Sequence, residues 1–162
     1  MRIVVAFLML LIPTMLDAAG EKKVKPACKR SEVAGLVLEV CVPEKSSAGA
    51  PINCIVTVTN TSKDTIAYEF TSTLREFILE IKDREGTVVP FTRYGKLLFE
   101  GDDFRFIQQK LGPGESLTLA YDLTRCFDLT IVDDYTLSAV SRYSIIKNMK
   151  ISVDSLRFSV SE

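Results

Sequence analysis

Apolar and polar residues alternate along most of the chain. Leu36, Leu38, Val40 and Val42 alternate with Val37, Glu39 and Cys41, and Ile52, Cys54, Val56 and Val58 with Asn53, Ile55, Thr57 and Thr59. Phe77, Leu79 and Ile81 flank Ile78 and Glu80, while Leu117, Leu119, Tyr121 and Leu123 interleave with Ser116, Thr118, Ala120 and Asp122. A period of two gives each segment one apolar face, the pattern of half-buried strands. Further strands are predicted at residues 66–70, 88–91, 104–109, 134–140 and 151–160. In the last of these the parity changes, Ile151 and Val153 being odd and Leu156, Phe158 and Val160 even. A bulge at Asp154-Ser155 would keep both sets on the core.

Short polar stretches punctuate the strands: Asn60-Thr61-Ser62-Lys63-Asp64, Asp83-Arg84-Glu85-Gly86 and Gly112-Pro113-Gly114-Glu115. These are turn sequences, rich in residues that tolerate positive φ or bond their own backbone. No run of ten or more residues carries a 3.6 period with proper caps, so helix content is expected to be low. Eight or nine short strands at this spacing imply two packed antiparallel sheets, an immunoglobulin-type β-sandwich first and a closed barrel second.

The amino terminus follows other rules. Arg2 precedes an unbroken apolar run of ten at residues 3–12, Pro13 and Asp17 end it, and Ala18, Ala19 and Gly20 offer cleavage points. This is the pattern of a secretory signal peptide. As a helix the run rises about 15 Å, half of a ~30 Å hydrocarbon core, which argues against an anchor. The expected organisation is a signal peptide over 1–19, an N-terminal tail over 20–33 and a sandwich domain over 34–162, secreted or periplasmic, with no membrane span in the mature chain.

The four cysteines, Cys28, Cys41, Cys54 and Cys126, agree with export. An even count in an exported chain reads as two disulfides, and three connectivities are possible. Cys41–Cys54 is favoured because each lies near one end of a turn between adjacent strands, which leaves Cys28–Cys126. No pair has Cys-x-x-Cys spacing, so zinc ribbons and thioredoxin-type chemistry have little support.

Composition removes more than it adds. The 162 residues contain no His, which excludes His-based triads, His metal sites and His pH switches. Lys and Arg total 20 against 21 for Asp and Glu, a net charge of -1, so there is no basic surplus for nucleic acid. Serines lack both a His base and a Gly-x-Ser-x-Gly turn. Asp102-Asp103 and Asp133-Asp134 could offer oxygen ligands to Ca²⁺ only from a loop, since neighbours on a strand face opposite ways. Solvated turn acids are the plainer reading. The absence of Trp removes the best sugar-stacking platform, so a carboxylate-based hydrolase ranks last. No cofactor and no metal are expected. Tyr121 and Tyr135 fall on inward parity and are expected in the core with bonded hydroxyls, Tyr135 as a corner tyrosine at the start of its strand. Asn60-Thr61-Ser62 satisfies the glycosylation pattern, but reads first as a β-turn.

Residues 92–103, Thr-Arg-Tyr-Gly-Lys-Leu-Leu-Phe-Glu-Gly-Asp-Asp, form the longest connection, with Gly95 and Gly101 as hinges and an apolar tip at Leu97-Leu98-Phe99. Long loops on rigid sandwiches often carry binding, so Arg93, Tyr94, Leu97, Leu98 and Phe99 are the candidate binding residues for a protein partner. The alternative is an extra short strand with Leu97 and Phe99 packed inward.

The succession of Gly49-Ala50-Pro51-Ile52, Val56-Thr57-Val58-Thr59-Asn60-Thr61-Ser62, Phe77-x-Leu79-x-Ile81-Lys82-Asp83, Val89-Pro90-Phe91, Leu111-Gly112-Pro113-Gly114-Glu115-Ser116 and Tyr135-x-Leu137-x-Ala139 carries a resemblance. Over residues 34–160 the chain resembles exported single-domain immunoglobulin-like bacterial proteins of unassigned function. More distantly it is similar to the BsuPI proteinase-inhibitor domain, which shares the strand, Asn-x-Ser turn, strand, Pro-Gly-Glu-Ser order. Where such domains place Gly before the strand-opening Tyr, this chain has Asp133-Asp134. The resemblance implies no catalytic residues. A disulfide-stapled sandwich with no recognisable catalytic set is expected to be a non-enzymatic protein-binding or envelope-structural module; the BsuPI likeness implies proteinase inhibition as the alternative.

Overall fold

The computed structural model describes residues 25–70, 75–100, 107–141 and 150–162. Residues 1–19, read above as a signal peptide, and residues 102–106 lie outside these residues. Among those described, strands dominate: β1 (Pro26–Val33), β2 (Leu36–Pro43), β3 (Lys45–Ser47), β4 (Asn53–Asn60), β5 (Ile66–Phe70), β6 (Phe77–Lys82), β7 (Ile107–Leu111), β8 (Ser116–Asp122), β9 (Asp133–Ser141) and β10 (Ser152–Ser161). The short helices α1 (Arg93–Phe99) and α2 (Leu123–Cys126) complete the set. Four-stranded sheets run β1-β2-β4-β8 and β3-β10-β9-β6, and β5 pairs with β7 as a separate ribbon.

Parity decides which residues meet. Leu36, Leu38, Val40 and Val42 of β2, Cys54, Val56 and Val58 of β4, Phe77, Leu79 and Ile81 of β6, and Leu137 and Ala139 of β9 all join one buried cluster. Both four-stranded sheets therefore contribute to a single core. In β10 the register shifts between Val153 and Leu156, where Ser155 takes φ 60°, so Val153, Leu156, Phe158 and Val160 all stay buried. The expected bulge is present, and it does what the parity change required.

Four elements depart from expectation. Pro26–Val33, read as part of a tail, is a strand, joined to β2 by a two-residue turn with Ala34 at φ 52° and Gly35 at φ 81°. Positive φ at both central residues is the hairpin turn whose twist matches its flanking strands, and glycine is suited to it. At Pro43 the chain changes sheets, and β3 then runs parallel to β10. Residues 88–91 make only isolated bridges, Lys82 with Val88 and Phe91 with Phe127. Finally, Gln108 and Gln109 pair within a strand that begins at Ile107 and extends to Leu111.

Asn60 sits where three turns meet. It is fully buried; its Nδ2 donates to the Asp64 and Leu111 carbonyls at 2.8 Å each, and its Oδ1 accepts from the Ser62 amide and hydroxyl at 2.9 and 2.7 Å. The Asn60 amide donates to the Glu115 carbonyl, the Gly114 amide donates to the Asn60 carbonyl, and Thr61 donates to the Gly35 carbonyl. Both side-chain amide hydrogens are thus committed inside the fold, which leaves no room for a glycan on that nitrogen. The Asn-Thr-Ser triplet serves as a buried staple.

Candidate functional site

The expected loop or strand at residues 92–103 opens as a helix. Thr92 caps α1: its hydroxyl accepts from the Gly95 amide at 3.1 Å and donates to the Arg125 carbonyl, while its own amide donates to the Cys126 carbonyl at 3.0 Å. Gly95, Leu98 and Phe99 fall on one face at helical spacing, and that face turns inward. Gly95 is no hinge. It is buried against the backbone of α2, where an added Cβ would stand 2.0 Å from the Cys126 carbonyl oxygen. Phe99 is buried among aromatics, with ring centroids 5.3 Å from Phe91, 6.1 Å from Phe127 and 6.2 Å from Tyr121. Seven residues are too few for a ten-residue periodicity search, and Thr92 lacks the acidic partner three positions on that would have flagged a capping box. The legible signal was a Thr followed by residues of one face at i, i+3 and i+4.

The five candidate binding residues therefore divide. Phe99 is a core anchor and Leu98 is half-buried against the core. Arg93, Tyr94 and Leu97 face outward, Leu97 being 64% exposed. Arg125, which sequence reasoning missed, belongs with them: its guanidinium lies 4.6 Å from the Tyr94 ring centroid. Arg75 donates from Nη2 to the Leu97 carbonyl at 3.0 Å and steadies the end of the helix. Beside Tyr94 and Leu98, a cleft of about 230 Å³ runs between α1, α2 and β8, lined also by Asn53, Asp122 and Arg125.

The cysteines pair differently from expectation. Cys28 and Cys41 are directly opposed in the β1–β2 ladder and form a disulfide, with Cα atoms 4.1 Å apart. Cys41–Cys54 is not formed because Cys41 points to the outer face of β2 while Cys54 points into the core. Cys28–Cys126 fails for the same reason, since Cys126 is buried on α2. Cys54 and Cys126 are free thiols in the core. Burial, with a smaller contribution from Cys126, pushes the Cys54 thiol up to about 12. Cys126 lies nearer the surface, beside the cleft, and burial and the Asp122 carboxylate push it up to about 11. Tyr121, expected to have a bonded hydroxyl, is buried without a partner of good hydrogen-bond geometry among the described residues, although the Phe77 backbone is close enough to oppose the rise in its pKa by hydrogen bonding. Burial chiefly, then the Cys54 charge, raises its pKa above the ordinary phenol range. All three groups hold their protons more tightly folded than unfolded. The chain with both thiols reduced should keep this stability below the ordinary thiol range near pH 8.5 and lose it as pH climbs through about 11 to 12. Its urea midpoint should fall between about pH 8 and about pH 10.5. An unchanged midpoint over that interval would contradict the protonated core described here.

Tyr135 behaves as expected: buried, it donates to the Ile131 carbonyl at 2.7 Å. Asp133 and Asp134 lie in β9 and do not converge; the Asp133 carboxylate takes the Asp134 amide at 2.8 Å and the Arg84 guanidinium at 3.4 Å. Among the described residues, no three His, Cys, Asp or Glu side chains gather in an array fit for a metal. A larger open groove of about 630 Å³ lies along β3, β10, β9 and the end of β6, lined by Lys45, Lys82, Arg84 and Arg157 together with Glu44, Asp83 and Asp134. Its charges are mixed, and Lys82 and Arg84 are already engaged by Glu80 and Asp133. Ala27, Tyr135 and Phe158 also line this groove, but Tyr135 and Phe158 are buried, whereas the α1 face presents Tyr94 and Leu97 exposed.

Compared with known proteins, the chain matches no family model and no curated protein. Among the described residues, no helix is long and apolar enough to cross a membrane.

Proposed function

We propose that the chain is an exported, non-enzymatic immunoglobulin-like β-sandwich module that docks a protein partner on the outer face of α1. The carrying observation is the pair Tyr94 and Leu97, exposed on a helix that Thr92, Gly95 and Phe99 hold rigidly to the core, with Arg125 of α2 over the Tyr94 ring. Exposed Tyr and Arg around an apolar residue are the side-chain types that dominate binding energy at protein interfaces, and a rigid platform loses little entropy on docking. The neighbouring cations Arg93, Lys96 and Arg125 favour a partner with an acidic rim.

Several features support the immunoglobulin-like reading. The chain switches sheets after Pro43, so β2 pairs with β4 and β3 runs parallel beside β10. The order β3-β10-β9-β6 opposes β2-β4-β8, and Tyr135 at the start of β9 bonds back to Ile131. Secretion or periplasmic location is supported by the Cys28–Cys41 disulfide, because such bonds persist in oxidising compartments. Proteinase inhibition has no comparable observation in its favour, since the longest connection of the sequence reading is helical over Arg93–Phe99 rather than an extended loop.

The test is capture of partners from the exported fraction with the purified chain as bait. Tyr94→Ala combined with Leu97→Ser should weaken capture about 30-fold, the loss of roughly 2 kcal/mol at an interface hot spot, with circular dichroism unchanged. Undiminished capture by this folded variant would remove α1 as the docking face.

A further inference from the structure

We propose that Cys54 and Cys126 close a second, buried disulfide that bolts the α1–α2 platform to the sheet. Cys54 points into the core from β4 and stands opposite Tyr121 of β8 in the ladder. The chain leaves β8 at Asp122, and the Leu123 amide donates to the Ile52 carbonyl at 2.8 Å, which pins the start of α2 beside the strand that carries Cys54. One helical turn, closed by the Phe127 amide donating to the Leu123 carbonyl, returns Cys126 to the same cluster. The two thiols are 0% and 2% exposed, and each lies within electrostatic reach of the Tyr121 hydroxyl. With Cys28 joined to Cys41, this is the one pairing left to the described cysteines.

The chemistry is thiol–disulfide exchange with a small-molecule or protein disulfide as oxidant. The Cys126 thiolate attacks one sulfur of the donor and expels a donor thiolate. The Cys54 thiolate then attacks the Cys126 sulfur of the mixed disulfide and expels the second donor thiolate. Two protons leave the cysteines, two donor thiols form, and two electrons pass to the donor. Because burial holds both thiols protonated in the closed core, exchange belongs to the stage of folding before that core is sealed.

The inference rests on the export reading only for the source of oxidant in the cell. The experiment refolds the full chain, reduced and denatured, in a buffer of oxidised and reduced glutathione, then alkylates it in denaturant. The expected product is four hydrogens lighter than the reduced chain, carries no alkyl group, and yields a Cys54–Cys126 cross-linked peptide beside Cys28–Cys41. A Cys126→Ser chain should carry one alkyl group, at Cys54. A product with Cys28–Cys41 closed and both Cys54 and Cys126 alkylated would overturn the inference, as would any other connectivity. Chain recovered from cells with Cys28 and Cys41 also reduced would instead count against export and leave the refolding result standing.

Discussion

Gly95→Ala should destabilise the protein by about 3 kcal/mol or more, although alanine is the better helix former. Propensity alone favours the substitution by about 1 kcal/mol. Packing opposes it: the new Cβ would lie 2.0 Å from the Cys126 carbonyl oxygen, 2.9 Å from its carbon and 3.2 Å from its Cα. These are backbone atoms, so no side chain can swing away. The backbone itself is held by the Leu123 bond to Ile52 and the Thr92 bond to Cys126. Relief would require α1 to lift, and Phe99 would then leave the aromatic cluster it shares with Phe91, Phe127 and Tyr121. Gly86→Ala is the control. Nothing lies within 4 Å of its added Cβ, and the cost there is only that of φ 85°, about 1 kcal/mol. Urea midpoints of the two variants decide the matter; a Gly95→Ala midpoint at or above that of the parent chain would refute the close contact.

Asn60→Asp should cost about 3 kcal/mol or more at neutral pH, with almost no change of shape. The carboxylate can still accept from Ser62, but its second oxygen would face the Asp64 and Leu111 carbonyls where Nδ2 donated at 2.8 Å. Two acceptors would lose their donor, and the second oxygen of a buried negative charge would face only acceptors. Protonation relieves part of this, because a neutral acid donates to one carbonyl. The folded-state pKa of the introduced carboxyl group is therefore raised above the ordinary ~3.9. The variant's deficit should be smallest below about pH 4 and should grow as pH rises through the raised value, then level off. Asn60→Ala lacks the titrating group, so its deficit should not vary with pH in this range. Denaturation midpoints at pH 4 and pH 7 separate the two; equal deficits for Asn60→Asp at both would show that the site is not buried as described.

These two residues mark the limits of local reading. Asn60-Thr61-Ser62 was legible as a turn, and the turn is there, but its role in tying the Gly35, Asp64, Leu111 and Glu115 backbones together depends on three loops far apart in sequence. Gly95 reads in the sequence as a hinge of the 92–103 connection. That it is a contact rather than a hinge depends on α2, some thirty residues further along. Of the binding candidates, Arg93, Tyr94 and Leu97 fell on the exposed face, Leu98 and Phe99 on the buried one, and Arg125 came to Tyr94 from a separate element.

What could be read from the residues alone was which face of each strand is apolar, down to the bulge at Asp154-Ser155, together with the scarcity of helix and the corner position of Tyr135. Each follows from local stereochemistry, since side chains on a strand alternate and a parity change needs an extra residue. The sheet switch at Pro43, the pairing of Cys28 with Cys41 and the solvent-facing side of α1 were decided by tertiary structure. They depend on register between distant strands, where a shift of one residue exchanges the inner and outer faces.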